Sequence, residues 1–534
     1  MAAITLDPVS LEVFKNLFIS ICEEMGVALQ RTSYSPNIKE RRDYSCALFD
    51  PRGQMVAQAA HQPVHLGAMP ASVQAALDTF PSNINPGDVI ILNDPYLGGS
   101  HLPDITLVAP VHIKTETSYK LIGFVSNRGH HADVGGMTPG SLPLSTEIYQ
   151  EGLILPPIKL YKGNRINREI IEIICRNSRT PDERRGDLSA QIASIKVGQK
   201  RLQEISQRYD SNVTLAHMEA LLNYSERVTR RSIRLIPDGI YSVTDYMDED
   251  GLTDEPVPIC VTITVLGDEI QVDFTGTSEQ RPGCINAPKA VTISAVLYTI
   301  RCVVGDAAPP NQGCLRPIEI VTPAGSLVNP LPQRGVAGGN VETSQRITDV
   351  LFSALAKALP DKMPAQSQGT MNNLLIGGHD LNRDKPFVYY ETIGGGMGAR
   401  PNKDGISGIH THMTNTMNTP VEALEFTFPL RLKRYAIRRG SGGNGQFKGG
   451  DGLIRDVEFL NPARITILSE RRKIPPHGLH DGEHAHTGEN ILFRSGYEEI
   501  HLSGKETLDV ETGDILSIRT PGGGGWGKPD AITD

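Results

Sequence analysis

Metal-type side chains are concentrated in two short stretches of the N-terminal region, Asn93-Asp94-Pro95-Tyr96-Leu97-Gly98-Gly99-Ser100-His101-Leu102-Pro103-Asp104 and Asn127-Arg128-Gly129-His130-His131-Ala132-Asp133-Val134-Gly135-Gly136. The first stretch directly follows Val89-Ile90-Ile91-Leu92, an apolar run between turn signals that predicts a buried strand. The second follows a predicted strand from Leu121 to Ser126, which delivers His130 onto the next loop. Another strand is expected from Ile105 to Val111. Strand ends that carry imidazole, carboxylate and glycine together indicate a site built on a sheet.

Helical patterns flank these strands. Asp7-Pro8 is a good helix start, and apolar residues then recur at three-four spacing from Leu11 to Leu29. A hairpin is predicted over residues 44–56 and a short helix around Ala71 to Phe80. The longest helical patterns, Glu183 to Tyr209 and Asn212 to Leu235, predict an antiparallel helical hairpin turning at Asp210-Ser211.

Beyond Pro237-Asp238-Gly239 the pattern changes to alternating strands, with a helix expected near Val341 to Leu359. From about residue 430 the chain is punctuated by glycine and β-like. The predicted fold class is mixed α/β, or α+β, with several domains. We expect an α/β metal-site domain with the long helical hairpin at 1–236, a mixed α/β domain at 237–430 and a β-rich domain at 431–534.

Composition narrows the function classes. A chain of 534 residues with 39% hydrophobic and 21% charged residues can bury a large interior. A net charge of -9 without a basic stripe, and an aromatic content of 5%, argue against a nucleic-acid partner. No apolar run is long enough for a membrane helix and no signal-peptide pattern is present, so a cytoplasmic location is expected. The seven cysteines form no CxxC pair and are expected to be reduced.

The two quoted stretches carry residue types that bind catalytic metals. His101 and Asp104 are three residues apart, and the second stretch offers His130, His131 and Asp133. On an extended backbone His130 and His131 point to opposite sides, so one of them is expected to face the site. Two imidazoles and a carboxylate leave open coordination positions, which is typical of a catalytic site. Glu40, in the turn before the first hairpin, is a candidate fourth ligand.

The competing interpretation is that these histidines only make hydrogen bonds in glycine-rich loops, since an HxxD pair is common by chance. Zn, Mn and Fe(II) would each suit imidazole with carboxylate, and the pattern does not choose among them.

Glycine-rich segments elsewhere do not predict a nucleotide site. Residues 440–452 lack the GxxxxGK[ST] order and are followed by no strong helix, which favours stacked turns over a phosphate cradle. Gly394-Gly395-Gly396-Met397-Gly398 does not match the dinucleotide fingerprint, although it can line a cleft. A GxSxG elbow is also missing. The chain thus has no predicted cofactor-binding residues of its own.

Taken together, the motifs resemble those of the hydantoinase B/oxoprolinase family over nearly the whole length. The resemblance rests on both quoted stretches and on Lys39-Glu40-Arg41-Arg42-Asp43-Tyr44-Ser45-Cys46-Ala47, Pro63-Val64-His65-Leu66-Gly67-Ala68-Met69, Val272-Asp273-Phe274-Thr275-Gly276-Thr277, Asn418-Thr419-Pro420-Val421-Glu422-Ala423-Leu424-Glu425 and Pro521-Gly522-Gly523-Gly524-Gly525-Trp526-Gly527. Related proteins are subunits of acetone- and acetophenone-type carboxylases.

The resemblance implies a divalent metal held by Glu40, His101, Asp104 and one histidine of the pair, assigned to His130. Asp94, Asp133 and His131 become catalytic candidates that orient ligands or assist proton transfer.

The family resemblance also implies a hetero-oligomer in which ATP and Mg bind a separate kinase-like A-type subunit. The expected activity is ATP-dependent hydrolysis of a small cyclic amide. The alternatives are a carboxylase subunit acting on a ketone and a scaffold without catalysis.

Overall fold

The computed structural model describes residues 7–59, 61–305, 308–494 and 499–529, and in these ranges it contains helices and four β-sheets. The helices are α1 (Pro8–Thr32), α2 (Pro36–Lys39), α3 (His65–Thr79), α4 (Arg168–Arg176), α5 (Pro181–Tyr209), α6 (Ser211–Ile233), α7 (Lys289–Val304), α8 (Ser344–Ala358) and α9 (Val421–Thr427). The strands are β1 (Tyr44–Phe49), β2 (Met55–Gln58), β3 (Val89–Leu92), β4 (Asp104–Lys114), β5 (Tyr119–His130), β6 (Ile158–Lys162), β7 (Arg165–Ile166), β8 (Gly239–Met247), β9 (Val257–Leu266), β10 (Glu269–Asp273), β11 (Ile318–Val321), β12 (Asn373–Asp380), β13 (Lys385–Glu391), β14 (Leu430–Arg438), β15 (Gly452–Phe459), β16 (Ala463–Leu468), β17 (Glu489–Phe493), β18 (Glu499–Leu502), β19 (Lys505–Val510) and β20 (Ile515–Arg519). The mixed, multi-domain fold class is confirmed.

The N-terminal sheet carries the predicted site. Its order is β2-β1-β5-β4-β3-β6-β7, and every neighbouring pair is antiparallel. Helices α1 and α5 pack against it. The predicted first helix is confirmed: the Asp7 carboxylate accepts hydrogen bonds from the backbone N–H groups of Val9 and Ser10, and the apolar stripe from Phe14 to Leu29 is buried.

The long strands extend beyond their predicted ends. Strand β5 reaches His130, so this residue closes the strand instead of lying on the following loop. The helical hairpin is present as α5 and α6, which meet at Asp210. The side chain of Asp210 accepts from the backbone N–H of Asn212 and caps α6.

The middle region pairs a sheet of order β11-β10-β9-β8 with α8, which packs on β8 and β9. The helix expected near residues 341–359 begins as a π-helical turn, Gly339–Thr343, and continues as α8. Two further sheets, β13-β12-β16-β19 and β14-β15-β20-β17-β18, make up the C-terminal region. Strands from both sides of residue 430 share the first of these sheets, so the division expected there passes through a hydrogen-bonded sheet.

The structure also describes the state of the cysteines and the character of the helices. All seven cysteines are free thiols. Of the helices in the four described ranges, none combines the length and apolar character needed to cross a membrane.

Candidate metal centre

Three of the predicted ligands lie together at one end of the N-terminal sheet. Asp104 is the first residue of β4 and His130 the last of β5, and the two are directly opposite in the antiparallel ladder. His101 precedes β4 by one turn. One ligand atom from each of these residues lies within 4.8 Å of the other two. The side chains are buried, with exposed fractions of 0% for His101, 1% for Asp104 and 3% for His130.

The donor atoms of this cluster make no hydrogen bonds to groups outside it. Both ring nitrogens of His101, Oδ1 of Asp104 and Nε2 of His130 are buried without a hydrogen bond, although Nε2 of His101 lies 3.3 Å from Oδ1 of Asp104. Buried polar atoms are nearly always paired, because an unpaired one costs about 1–3 kcal/mol. Two nitrogens and a carboxylate oxygen converging in this way fit a divalent metal with open coordination positions. The residues present therefore suit the ion that the family resemblance implies.

Asp104 is oriented by a network on its other oxygen. Oδ2 accepts hydrogen bonds from the Ser100 hydroxyl and from Nε2 of His65 at 3.2 Å, while Nδ1 of His65 lies 2.8 Å from Oγ of Ser45. Burial opposes ionisation of Asp104, but the His101 and His65 rings outweigh it and hold the pKa of this carboxyl well below its usual value. His65 belongs to the motif Pro63–Met69. Spacing in the sequence did not connect it with Asp104, which lies 39 positions further along the chain.

The two adjacent histidines have different surroundings. The ring of His130 stacks on Tyr390 with centroids 4.7 Å apart, and Nδ1 lies 3.3 Å from the Asn37 amide nitrogen. Burial, and then the neighbouring His101 ring, lower the pKa of His130 well below its usual value, which keeps the imidazole neutral as a ligand must be. His131 points the opposite way, with Nε2 2.9 Å from Oε1 of Gln191 on α5, and burial lowers its pKa to about 4.

Glu40 is not part of the three-residue cluster. It follows α2 as its C-terminal cap residue and is half-buried, with its pKa raised by desolvation. Asp43, three residues further on, is the carboxylate that lines the small cavity beside Asp104 and His130. Burial also raises the pKa of Asp43. A ligand role for Glu40 stays a prediction.

The other predicted carboxylates organise loops. Asp94 caps the 3-10 turn Pro95–Leu97 by accepting from the backbone N–H of Tyr96, and desolvation raises its pKa. Asp133 pairs with Arg179 at 2.8 Å and also accepts from the backbone N–H groups of Gly140 and Arg179. The bonds to Asp133 occupy both of its carboxylate oxygens, which a general base would need to be free. Catalytic roles for Asp94, Asp133 and His131 stay predictions.

A larger cavity of about 930 Å³ shares a lining residue with the small cavity beside Asp104 and His130. Thr414 lines both this cavity and the small one beside Asp104 and His130. The large cavity lies among α7, α8 and the segment 397–415.

The antiparallel sheet with its two-histidine, one-carboxylate cluster defines a candidate metalloprotein. The chain belongs to the Hydantoinase B/oxoprolinase family, whose model matches residues 7–529. It is similar to 5-oxoprolinase 1 of Arabidopsis thaliana, with 43% identity over 98% of this chain and 42% of that protein. The chain thus spans about two fifths of the length of the 5-oxoprolinases that it matches.

Two further relatives are matched over most of their own length. The putative B-type subunit of a D-/L-hydantoinase from Pseudomonas sp. is 34% identical over 98% of this chain and 90% of that protein. The crystal structure of an ATP-dependent caprolactamase from Pseudomonas jessenii superposes with a TM-score of 0.90 at 29% identity, covering 98% of this chain and 92% of that one. The family resemblance expected from the motifs is confirmed.

Proposed function

We propose that this chain is the metal-containing B-type subunit of an ATP-dependent hydrolase of cyclic amides. The observation that carries the proposal is the convergence of donor atoms from His101, Asp104 and His130 at a buried point, beside a small cavity that shares Thr414 with the large one. The relatives named as 5-oxoprolinase, D-/L-hydantoinase and ATP-dependent caprolactamase support a ring amide as substrate.

An unactivated ring amide resists hydrolysis because its nitrogen donates electrons into the carbonyl. Phosphorylation of the carbonyl oxygen, on a kinase-like partner with ATP and Mg, would remove this resonance and create a leaving group. A divalent Zn, Mn or Fe ion bound to His101, Asp104 and His130 would supply Lewis acidity and a water of lowered pKa. The three side chains are preorganised for this role because adjacent strands fix two of them.

The chain's own groups would orient the site and move protons. His65 and Ser100 hold Asp104 in one orientation through its Oδ2. Asp43 faces the small cavity, and its raised pKa suits a group that accepts a proton from an attacking water. The larger cavity would hold the ring.

Reconstitution with the kinase-like partner tests the proposal. The complex should open 5-oxoproline, a hydantoin or a lactam with matching consumption of ATP, measured by product chromatography and ADP release. Product that forms only from a ketone with bicarbonate would instead establish the carboxylase alternative. A complex that turns over partner-bound substrate equally well without stoichiometric metal on this chain would establish the scaffold alternative.

His65→Asn should weaken metal binding by about 10–100-fold, because Asp104 loses the imidazole that fixes its orientation. The measurement is a competition titration of the purified chain against a chelator of known affinity. Ser118→Ala, a change on the exposed turn before β5 and at the far end of that strand from His130, is the control. Equal affinities for His65→Asn and the unmodified chain would contradict the orienting role.

A further inference from the structure

Arg128 is a fully buried cation beside the candidate metal centre. On β5 it lies opposite Thr106 of β4. The next cross-strand pair on the same face of the sheet is Asp104 with His130. In the described part of the chain, the Arg128 guanidinium forms no direct ion pair. A buried charge is costly unless hydrogen bonds and a nearby opposite charge compensate it.

Four hydrogen bonds hold the guanidinium. They run from Nε to Oγ1 of Thr106 at 2.8 Å, from Nη1 to Oγ of Ser100 at 3.0 Å, and from Nη2 to Oγ of Ser72 at 2.8 Å and the backbone oxygen of Ala68 at 3.4 Å. The planar fork of an arginine side chain can serve four acceptors at fixed angles, whereas the single ammonium group of a lysine cannot. The surroundings are therefore specific for arginine and not only for a positive charge.

The bond to Ser100 connects Arg128 with Asp104. A serine hydroxyl carries one hydrogen. Because Oγ of Ser100 accepts from Arg128, that hydrogen is directed to Oδ2 of Asp104, to which the hydroxyl donates. Nε2 of His65 lies 3.2 Å from the same Oδ2. Oδ1 is thereby left to face the cluster, where it lies 3.3 Å from Nε2 of His101.

The bond to Ser72 has a different consequence. Oγ of Ser72 also donates to the backbone oxygen of Gly98 at 2.7 Å. Gly98 packs directly on α3, since a Cβ at this position would lie 2.4 Å from the backbone oxygen of Ala71. This second group of hydrogen bonds fastens the loop around Gly98 to the helix without contacting Asp104.

We propose that Arg128 is a positioning residue of the candidate metal centre, which acts through Ser100 to turn Oδ1 of Asp104 toward the ion. The inference rests on the metal site of the proposed function and adds to it a residue that does not contact the ion. Loss of a group that orients a metal ligand typically costs about 10–100-fold in metal affinity.

Zn²⁺ binding to the purified full chain, measured by competition with a chelator of known affinity, tests the inference without turnover. Arg128→Lys keeps the charge and loses the fork, so it should weaken Zn²⁺ binding by about 10–100-fold. Ser100→Ala should produce a similar loss. The double variant should bind Zn²⁺ no more weakly than either single variant, because the two residues act in one chain of hydrogen bonds.

Ser72→Ala is the matched control. Ser72 and Ser100 are both fully buried and both accept a hydrogen bond from Arg128, so both changes should lower the unfolding temperature by similar amounts. Only Ser100→Ala should weaken Zn²⁺ binding. The visible absorption of the Co²⁺-loaded chain is a second measurement, which should change in Ser100→Ala and Arg128→Lys and stay the same in Ser72→Ala.

Unaltered Zn²⁺ affinity in Arg128→Lys, or equal losses of affinity in Ser100→Ala and Ser72→Ala, would overturn the inference and leave Arg128 a purely structural residue. The comparison of the two serines decides this even where Arg128→Lys does not fold. Either result leaves the hydrolase proposal intact if the unmodified complex opens a ring amide. The expected losses of Zn²⁺ affinity, together with a complex that opens no ring amide, would refute the hydrolase proposal and keep the role of Arg128.

Discussion

His101→Ala should strip the purified chain of stoichiometric metal and lower product formation by the reconstituted complex by more than about 100-fold. Loss of a group that merely orients a ligand costs about 10–100-fold, so loss of a ligand should cost more. The side chain of His101 is fully buried, and its Nε2 lies 3.3 Å from Oδ1 of Asp104 within the cluster. Its removal thus leaves Asp104 and His130 as an incomplete site. Metal content by mass spectrometry and product formation with ATP are the two measurements.

Three comparisons make this experiment specific. His379→Ala removes an exposed histidine and should leave both quantities unchanged. Asp104→Asn should behave like His101→Ala. Glu40→Gln should retain the metal if the three-residue cluster is sufficient, and should lose it if the family pattern of four ligands applies. Full metal content and full activity in His101→Ala would remove the basis of the hydrolase proposal and favour a scaffold.

Gly449→Ala should destabilise the C-terminal region by more than about 4 kcal/mol, a large part of the roughly 5–15 kcal/mol that holds a typical domain together. A Cβ at this position would lie 1.8 Å from the backbone oxygen of Gly523. The atoms that this Cβ would meet belong to the backbone of Gly523 and Gly524, so no side-chain rotation can relieve the collision. The segments around Met397, Gly450 and Gly523 are joined by hydrogen bonds that shifting would break. Thermal unfolding and soluble yield measure the effect.

Gly440→Ala is the matched control for this change. Gly440 has φ of +79°, but nothing lies within 4 Å of a Cβ there. Its replacement should cost only the backbone strain of about 1–2 kcal/mol. Equal stability losses in the two variants would show that the glycine packing is loose. The same packing anchors the backbone before Arg400 through Gly524, so it also supports the wall of the large cavity.

Local patterns in the sequence predicted much of the fold. The stripe from Phe14 to Leu29 predicted α1, and the apolar run Val89–Leu92 predicted β3, because periodicity reports which faces are buried. The glycine segments at 440–452 were predicted to be stacked turns, and their backbones are indeed packed against residues 522–525. The exact strand ends were less predictable, since β4 and β5 continue through ladder hydrogen bonds that no local pattern records.

The cluster of imidazole and carboxylate side chains was determined by the sequence itself: His101 and Asp104 are close in the chain, and His130 ends a recognisable strand. Only the tertiary structure decided which histidine of the pair faces the cluster, because burial against Tyr390 and Gln191 orients the two rings. It also brought His65 and Asp43 beside Asp104 from separate segments of the chain. Periodicity describes a residue's own strand or helix, whereas such long-range contacts depend on how separate elements pack.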